Sequence, residues 1–337
     1  MSSTLVLKST FLNPFKNLAL GAYLSKCFRT PITEKGSLAG INNLLLLSTS
    51  HHGVFIGRNQ NYLAECNLPE MIKDKVPLLR RDTGGGACYV DQGNRLFTFI
   101  TRGNISRDDN YNVILQALNS LGIKAELRGR NDITVNGLKV SGSAFHMDAI
   151  MRHHGTILVD VDKDKLSAYL NPSKLKLQAH GVASIRSRIA NLRDFAPDLA
   201  HDDIDTAIIH AWNSKDTIVQ EFGDEDIKNP ELFWRLYNNL QSENFIYNEN
   251  PRSDVVVEEK FEHGLYTFYV VVDKRSITSC SVYSDSLDFD FVIELRHYIN
   301  ANLPLTHDSF EYMLKTYNGL YRNRIQEIIT WLLTKIL

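Results

Sequence analysis

With 337 residues the chain is long enough for two domains, each able to bury a core of its own. Hydrophobic residues at 43% and charged residues at 23% give the balance of a water-soluble globular protein. The net charge of −2 excludes a general electrostatic pull toward nucleic acid or an anionic membrane, so any basic site must be local.

In chain order, the stretch up to Thr33 carries Lys8, Lys16, Lys26 and Arg29 and no acidic residue, which faintly resembles a mitochondrial transit peptide. The same residues read better as structure. Thr4 to Leu7 predicts a strand, and Asn13-Pro14 opens an amphipathic helix with Phe15, Leu18, Ala19 and Ala22 on one face. A cytoplasmic protein is therefore expected, with a mitochondrial one as the minor alternative. Leu44 to Leu47 and Val54 to Ile56 are apolar runs suited to buried strands. Ala87 to Asp91 and Leu96 to Ile100 predict a hairpin closing through Gln92-Gly93-Asn94-Arg95. Asp108 to Leu121 predicts a helix with Tyr111, Ile114, Leu118 and Leu121 on one face and Gly122 as its terminator. Asp164 to Leu170 is a further short helix, stopped by Asn171-Pro172.

A polar stretch from Gln241 to Asp254, with Pro251, predicts a linker. Beyond it, Val255 to Phe261, Leu265 to Val272 and Ser276 to Tyr283 predict a meander, followed by helices over Asp288 to Asn300 and from Asn323 to the end. The expected division is a catalytic domain over 1–243, a linker over 244–254 and a small accessory domain over 255–337, in the α+β class. No apolar run approaches the roughly 20 residues that cross a bilayer. Cys27, Cys66, Cys88 and Cys280 are scattered without zinc spacing and read as free thiols.

Three segments carry chemistry. Arg80-Arg81-Asp82-Thr83-Gly84-Gly85-Gly86-Ala87 places three side-chain-free residues beside two guanidinium forks, which suits an anion cradle built from backbone N–H groups. A mobile loop is the plainer alternative. It is neither a P-loop, since no Gly-Lys-Ser/Thr follows, nor the dinucleotide fingerprint, since Tyr89 stands where the third glycine belongs. The second segment runs from Gly129 to Ser143. Its Asn136-Gly137 turn predicts a hairpin in which Val135 faces Leu138, Thr134 faces Lys139, Ile133 faces Val140 and Asp132 faces Ser141. Ile133, Val135, Leu138 and Val140 then form an apolar face, and Asp132, Thr134, Lys139 and Ser141 a polar one. A solvated lysine is the plain reading of that face, but Asn131, Asp132, Ser141, Gly142 and Ser143 crowd donors and acceptors around its ammonium. In the third segment, His153 and His154 must point to opposite faces of a strand, so one is expected in a pocket wall and the other exposed. Gly181 to Arg188 is small, hydroxylated and basic, and suits either a loop folding over an anion or a solvated basic loop.

In this order the segments resemble the lipoate–protein ligase A family, related in fold to biotin–protein ligases. Asn17-Leu18-Ala19-Leu20, Ile56-Gly57-Arg58-Asn59-Gln60-Asn61 and Glu65-Cys66-Asn67 match its early signatures. Arg80 to Ala87 is similar to its lipoate-binding loop, Gly129 to Asp132 and Lys139 to Ala144 to its nucleotide and catalytic-lysine motifs, and Arg186-Ser187-Arg188 to its adenylate-binding loop. The resemblance implies a large domain of mixed β-sheets flanked by helices plus a small α+β accessory domain. It implies an ATP-dependent ligase with magnesium as a cofactor, lipoate as substrate and lipoyl-AMP as intermediate. Its acceptors would be lipoyl domains of 2-oxoacid dehydrogenase E2 subunits and the glycine-cleavage H protein, and it would act as a monomer without nucleic acid or membrane.

By the same resemblance, Lys139 is catalytic. Arg81, Gly86, Ala87, Cys88, Tyr89, Asn131, Asp132, Lys139, Ala183, Ser184, Arg186 and Arg188 would bind ATP or the adenylate. Arg81, Gly84, Gly85, Gly86, Lys139, Ser141, Gly142 and His154 would bind lipoate. Asp132 would hold magnesium or orient Lys139. The competing readings are a lipoyltransferase that uses preformed lipoyl-AMP and a non-catalytic protein that binds lipoate or lipoyl-AMP.

Overall fold

The structure, a computed structural model, describes residues 3–29, 38, 40–102, 106–171, 188–212, 217–247, 254–273, 276–317 and 319–336. The chain opens with β1 (Ser3–Ser9), α1 (Pro14–Arg29), β2 (Ile41–Ser48) and β3 (Gly53–Ile56), then α2 (Tyr62–Glu65), α3 (Leu68–Lys73), β4 (Leu78–Arg80), β5 (Cys88–Val90) and β6 (Asn94–Thr101). Next come α4 (Arg107–Ser120), β7 (Ala125–Arg128), β8 (Asp132–Val135), β9 (Leu138–Met147), β10 (Met151–Leu158) and α5 (Lys163–Tyr169). They are followed by α6 (His201–Ala211), β11 (Thr217–Phe222), α7 (Pro230–Gln241) and α8 (Glu243–Tyr247). The last unit holds β12 (Val255–Phe261), β13 (Gly264–Asp273), β14 (Ser276–Ser284), α9 (Phe289–Ala301), α10 (His307–Thr316) and α11 (Arg322–Ile336).

Among the described residues, eight strands form a mixed sheet in the order β11-β1-β2-β6-β10-β9-β8-β7. Both faces of its centre are covered, which is why the β2 run is continuously apolar rather than alternating. Leu44 and Leu46 pack with Leu5, Leu7 and Ile100 under α1 and α7. Leu45 and Leu47 pack with Val6, Phe97 and Phe99 on the opposite side, where α4 and α6 close the layer. The α1 start follows its predicted chemistry, with Asn13 Oδ1 accepting from the amides of Phe15 and Lys16; α4 begins one residue earlier than expected, capped by Ser106 in a capping box with Asp109.

A three-stranded sheet in the order β4-β3-β5 stands beside this layer, covered by α2, α3 and α5. Here the expected hairpin fails. Val54 of β3 pairs with Tyr89 of β5, whereas β6 pairs with β2 and β10 in the large sheet. The turn does close, since the Asn94 amide donates to the Asp91 carbonyl at 3.0 Å. Its Gly93 carbonyl, however, accepts from the amides of Val159 and Asp160 at the end of β10, so the chain is handed from one sheet to the other.

The C-terminal meander and helices enclose a separate apolar cluster that includes Phe268, Val270, Phe291, Leu295, Ile329 and Leu332. α10 was not read from the sequence, because its pattern follows directly on the loop after α9. The first part of the expected linker is helical: Ile246 of α8 is buried against the small sheet, and its carbonyl accepts from Arg80 Nε at 2.9 Å.

His153 is a buried polar group of the large sheet with a marked pH consequence. It is fully buried beside Tyr111, Phe97 and Phe99, with both ring nitrogens unpartnered. Burial, with repulsion from Arg107, pushes its pKa down to about 3. The unfolded chain takes up a proton here below about pH 6.5 while the folded one does not, so stability is lost as the pH falls through that window. His153→Phe is expected to lessen the slope of unfolding free energy against pH between pH 6 and 4 by about 1.4 kcal/mol per unit, one proton's worth. Urea melts over that range, with an unchanged slope, would refute it.

Candidate active site

The Asn136-Gly137 turn forms as its residues dictate, with both in the left-handed region (φ 51° and 78°). The pairs Val135–Leu138 and Thr134–Lys139 also match expectation. Beyond them a bulge adds one residue to β9, so Ile133 faces Ser141 and Asp132 faces Gly142 rather than Val140 and Ser141. Ile133, Val135 and Val140 still reach the core. On the other face the shift places Asp132 across from a residue with no side chain. Lys139 lies over that gap: a Cβ on Gly142 would stand 2.7 Å from Lys139 Cε and Nζ.

The Lys139 ammonium is 2.7 Å from Asp132 Oδ1, and Arg188 pairs with the other oxygen, Asp132 Oδ2. Asp132 is buried, whereas the Lys139 side chain stays 24% exposed, so the cation is oriented from below and reachable from above. The strand position of Lys139 is tied down as well. Ala190 N donates to its carbonyl at 2.9 Å, and Ile189 bridges to it in parallel, which brings Arg188 to the site. Asn131 is held by reciprocal bonds with Ser143: Asn131 Nδ2 donates to the Ser143 carbonyl, and Ser143 N donates to that of Asn131.

The glycine tract lies over the same strand. A Cβ on Gly85 would stand 3.4 Å from Ala144 Cβ, and Ala144 is two residues beyond Gly142, about 7 Å along β9 on the same face. Thr83 Oγ1 and His154 Nε2 are bonded at 2.8 Å, and His154 pairs with Ala144 across the ladder. His154 is thus the histidine facing the site. His153 corrects the expectation of an exposed partner, since the sheet's other face is core. Burial, then repulsion from Arg152 and Arg81, holds His154 well below its ordinary pKa and therefore neutral. Asp82, next to it, pairs with Arg152 at 2.7 Å. Burial raises the Asp82 carboxyl, but the Arg152 charge and bond outweigh this and leave it below its ordinary value.

The two arginines serve the loop itself. Arg80 Nη1 donates to the carbonyls of Gly57, Arg58 and Gln60. Arg81 Nη1 donates to Phe55 O and its Nη2 to the carbonyls of Gly84 and Gly86. Both terminal nitrogens of Arg81 thus help to hold the tract's shape. Cys88 lies 3.8 Å from Arg81 Nη1, Ala87 packs against the small sheet's apolar cluster, and the Tyr89 side chain is buried against Tyr169. Any contact from Tyr89 to nucleotide must come from its backbone. Ser141 is buried in the sheet. Ala183, Ser184 and Arg186 lie outside the described residues.

Sequence reasoning missed the partner of the tract's first two glycines. A Cβ on Gly84 would stand 2.3 Å from the Ser286 carbonyl, and Gly85 N donates to that same carbonyl at 3.1 Å. The C-terminal unit is seated further by Ser284 N on Asn59 O, Arg296 Nη1 on Asn59 Oδ1 and Asn61 Nδ2 on the Tyr269 hydroxyl. A Cβ on Gly86, unlike one on Gly84 or Gly85, would meet nothing within 4 Å among the described residues.

Residues 13–213 match the model of the lipoyl protein ligase A/B catalytic domain, and 250–332 that of the bacterial lipoate protein ligase C-terminus. The chain is 33% identical, over all of both sequences, to the lipoate-protein ligase A of Blochmanniella pennsylvanica. Its fold is similar to that of Plasmodium falciparum LipL1, solved in complex with lipoate, with a TM-score of 0.83 at 30% identity, covering 99% of this chain and 100% of that one. It is also similar to a lipoate-protein ligase A solved with bound ATP, with a TM-score of 0.60 at 25% identity over 73% and 99% of the two chains. No helix among the described residues is long and apolar enough to cross a membrane. With the catalytic-domain match covering more than half of the chain and a lipoate-protein ligase A aligned over its whole length, the chain belongs to the lipoate–protein ligase A family.

Proposed function

We propose that the enzyme joins lipoate to ATP as lipoyl-AMP at Lys139 and passes the lipoyl group to a lysine of an acceptor domain. The observation that supports this best is the Lys139 ammonium, held by Asp132 at 2.7 Å over the side-chain-free Gly142 and left partly open. In the first step a lipoate carboxylate oxygen attacks the α-phosphorus and pyrophosphate leaves. Two anions must meet, so the barrier falls where positive charge sits between them. Lys139 supplies that charge as a compact ammonium with three donors, and Arg188 supplies a second cation through the carboxylate they share. The N–H groups from Gly86 to Cys88, which lead into the edge strand β5, suit phosphate oxygens.

The lipoyl chain then runs from Lys139 over Gly142 and Ala144 toward the Thr83–His154 pair. A neutral histidine is the form suited to an uncharged tail. In the second step the acceptor amine attacks the acyl carbonyl and AMP leaves. The mixed anhydride is already activated, so positioning does most of the remaining work. The acceptors on this reading are lipoyl domains of 2-oxoacid dehydrogenase E2 subunits and the glycine-cleavage H protein, reached by a cytoplasmic monomer.

Asp132 does not fit a protein-held magnesium, because each oxygen already bonds a cation, and no cluster of three or more metal-binding side chains occurs among the described residues. Its part here is to orient Lys139. Incubation with ATP, magnesium, lipoate and an apo lipoyl domain is expected to add one lipoyl mass to that domain and to release pyrophosphate with lipoate. Transfer only from supplied lipoyl-AMP would replace this reading with a transferase, and binding without transfer would replace it with a sensor.

A further inference from the structure

We infer that Leu287, acting with the Ser286 carbonyl, is a positioning residue for acid activation, so that the C-terminal unit helps to shape the acid-binding loop. This rests on the reading that the glycine tract receives the acid. Leu287 follows β14 in a turn stiffened by its own bonds: Ser286 N donates to Ser284 Oγ, Asp288 N to Ser286 Oγ, and Ser284 Oγ to Leu265 O. Leu287 is buried, yet among the described residues it is not part of the C-terminal core. Its side chain instead reaches the tract, with Cδ2 3.5 Å from where a Cβ on Gly85 would stand.

The same point is 3.4 Å from Ala144 Cβ and 3.3 Å from Arg81 Nη2. Gly85 is therefore gripped between the catalytic strand, the clamping arginine and a leucine from the other unit. It adopts φ +92°, a conformation that must be held, while Gly84 admits the Ser286 carbonyl only because it has no Cβ. Two of the three glycines thus answer to the C-terminal unit. Any displacement of that turn frees the loop on which Gly86 faces the ligand.

Leu287→Ala is expected to raise KM for lipoate about tenfold in the pyrophosphate-release assay, with kcat and KM for ATP within about twofold, because the loop is loosened and the chemistry left intact. Leu287→Met should restore the wild-type KM. Gly84→Ala forces the turn off the loop from the opposite side without substituting any residue of the C-terminal unit, so it tests the contact independently of any effect on C-terminal folding. The double variant should be no worse than the worse single variant, since both break one contact. A lipoate KM that Leu287→Ala does not move, or losses that multiply in the double variant, would overturn the inference while the ligase reading stands. A wild-type enzyme that releases no pyrophosphate with lipoate would remove that reading, and the inference with it.

Discussion

Lys139→Ala is expected to lower lipoate-dependent pyrophosphate release by at least about a thousandfold, the cost of removing a donor aimed at developing charge in a shielded site. The fold should survive. Asp132 keeps Arg188 as its counter-ion, so no buried carboxylate is stranded, and the backbone bridge from Lys139 to Ile189 does not depend on the side chain. Thermal melting should stay within a few degrees of wild type, as for other changes at a partly exposed position. Lys139→Arg should not rescue, because a planar fork cannot place a point charge over Gly142 as an ammonium does. Transfer from supplied lipoyl-AMP should suffer less than adenylation, since the anhydride carries its own activation. Near-normal pyrophosphate release from Lys139→Ala would remove the lysine from the chemistry and leave Arg188 as the principal cation.

Much of this site was legible because its signals are local. Asn136-Gly137 demands a tight hairpin wherever the chain goes, and alternation around it puts Lys139 and Asp132 on one face. The bulge that shifts Asp132 opposite Gly142 leaves no trace in composition, because β9 reads as an unbroken alternating strand. The segment from Asp91 to Leu96 shows the same limit: turn residues announced a reversal, but which sheet each strand joins is decided by partners about 33 to 64 residues distant. Histidine pairing was half legible. Alternation separates His153 from His154, yet only the aromatic layer of Tyr111, Phe97 and Phe99 tells which one is buried. The glycine tract was legible as a backbone cradle, but its internal supports were not: Gly84 and Gly85 contact a turn some 200 residues away, and Arg81 bonds its own loop.

Gly142→Ala is expected to separate stability from activity in a way that few single methyl groups can. The new Cβ would stand 2.7 Å from Lys139 Cε and Nζ and 3.8 Å from Asp132 Oδ1. Gly142 has no left-handed backbone angle, so alanine brings no conformational strain, and the first neighbour it meets is the far end of a flexible chain. Lys139 can swing aside at little cost, and the lost glycine entropy of the unfolded chain contributes about 0.4–1 kcal/mol in the variant's favour. Melting temperature should hold or rise slightly. The ammonium, however, leaves the point where carboxylate and phosphate must meet, and a displacement of about 1 Å there costs on the order of a hundredfold in kcat. Gly155→Ala is the control. Its Cβ would meet the Gly142 carbonyl at 2.8 Å and the Phe97 ring at 2.5 Å, neither of them a flexible end, so stability should fall first and activity only with it. If Gly142→Ala kept wild-type kcat alongside an unchanged melt, Lys139 would be working from some other position, and the ion pair with Asp132 would not be the arrangement that reacts.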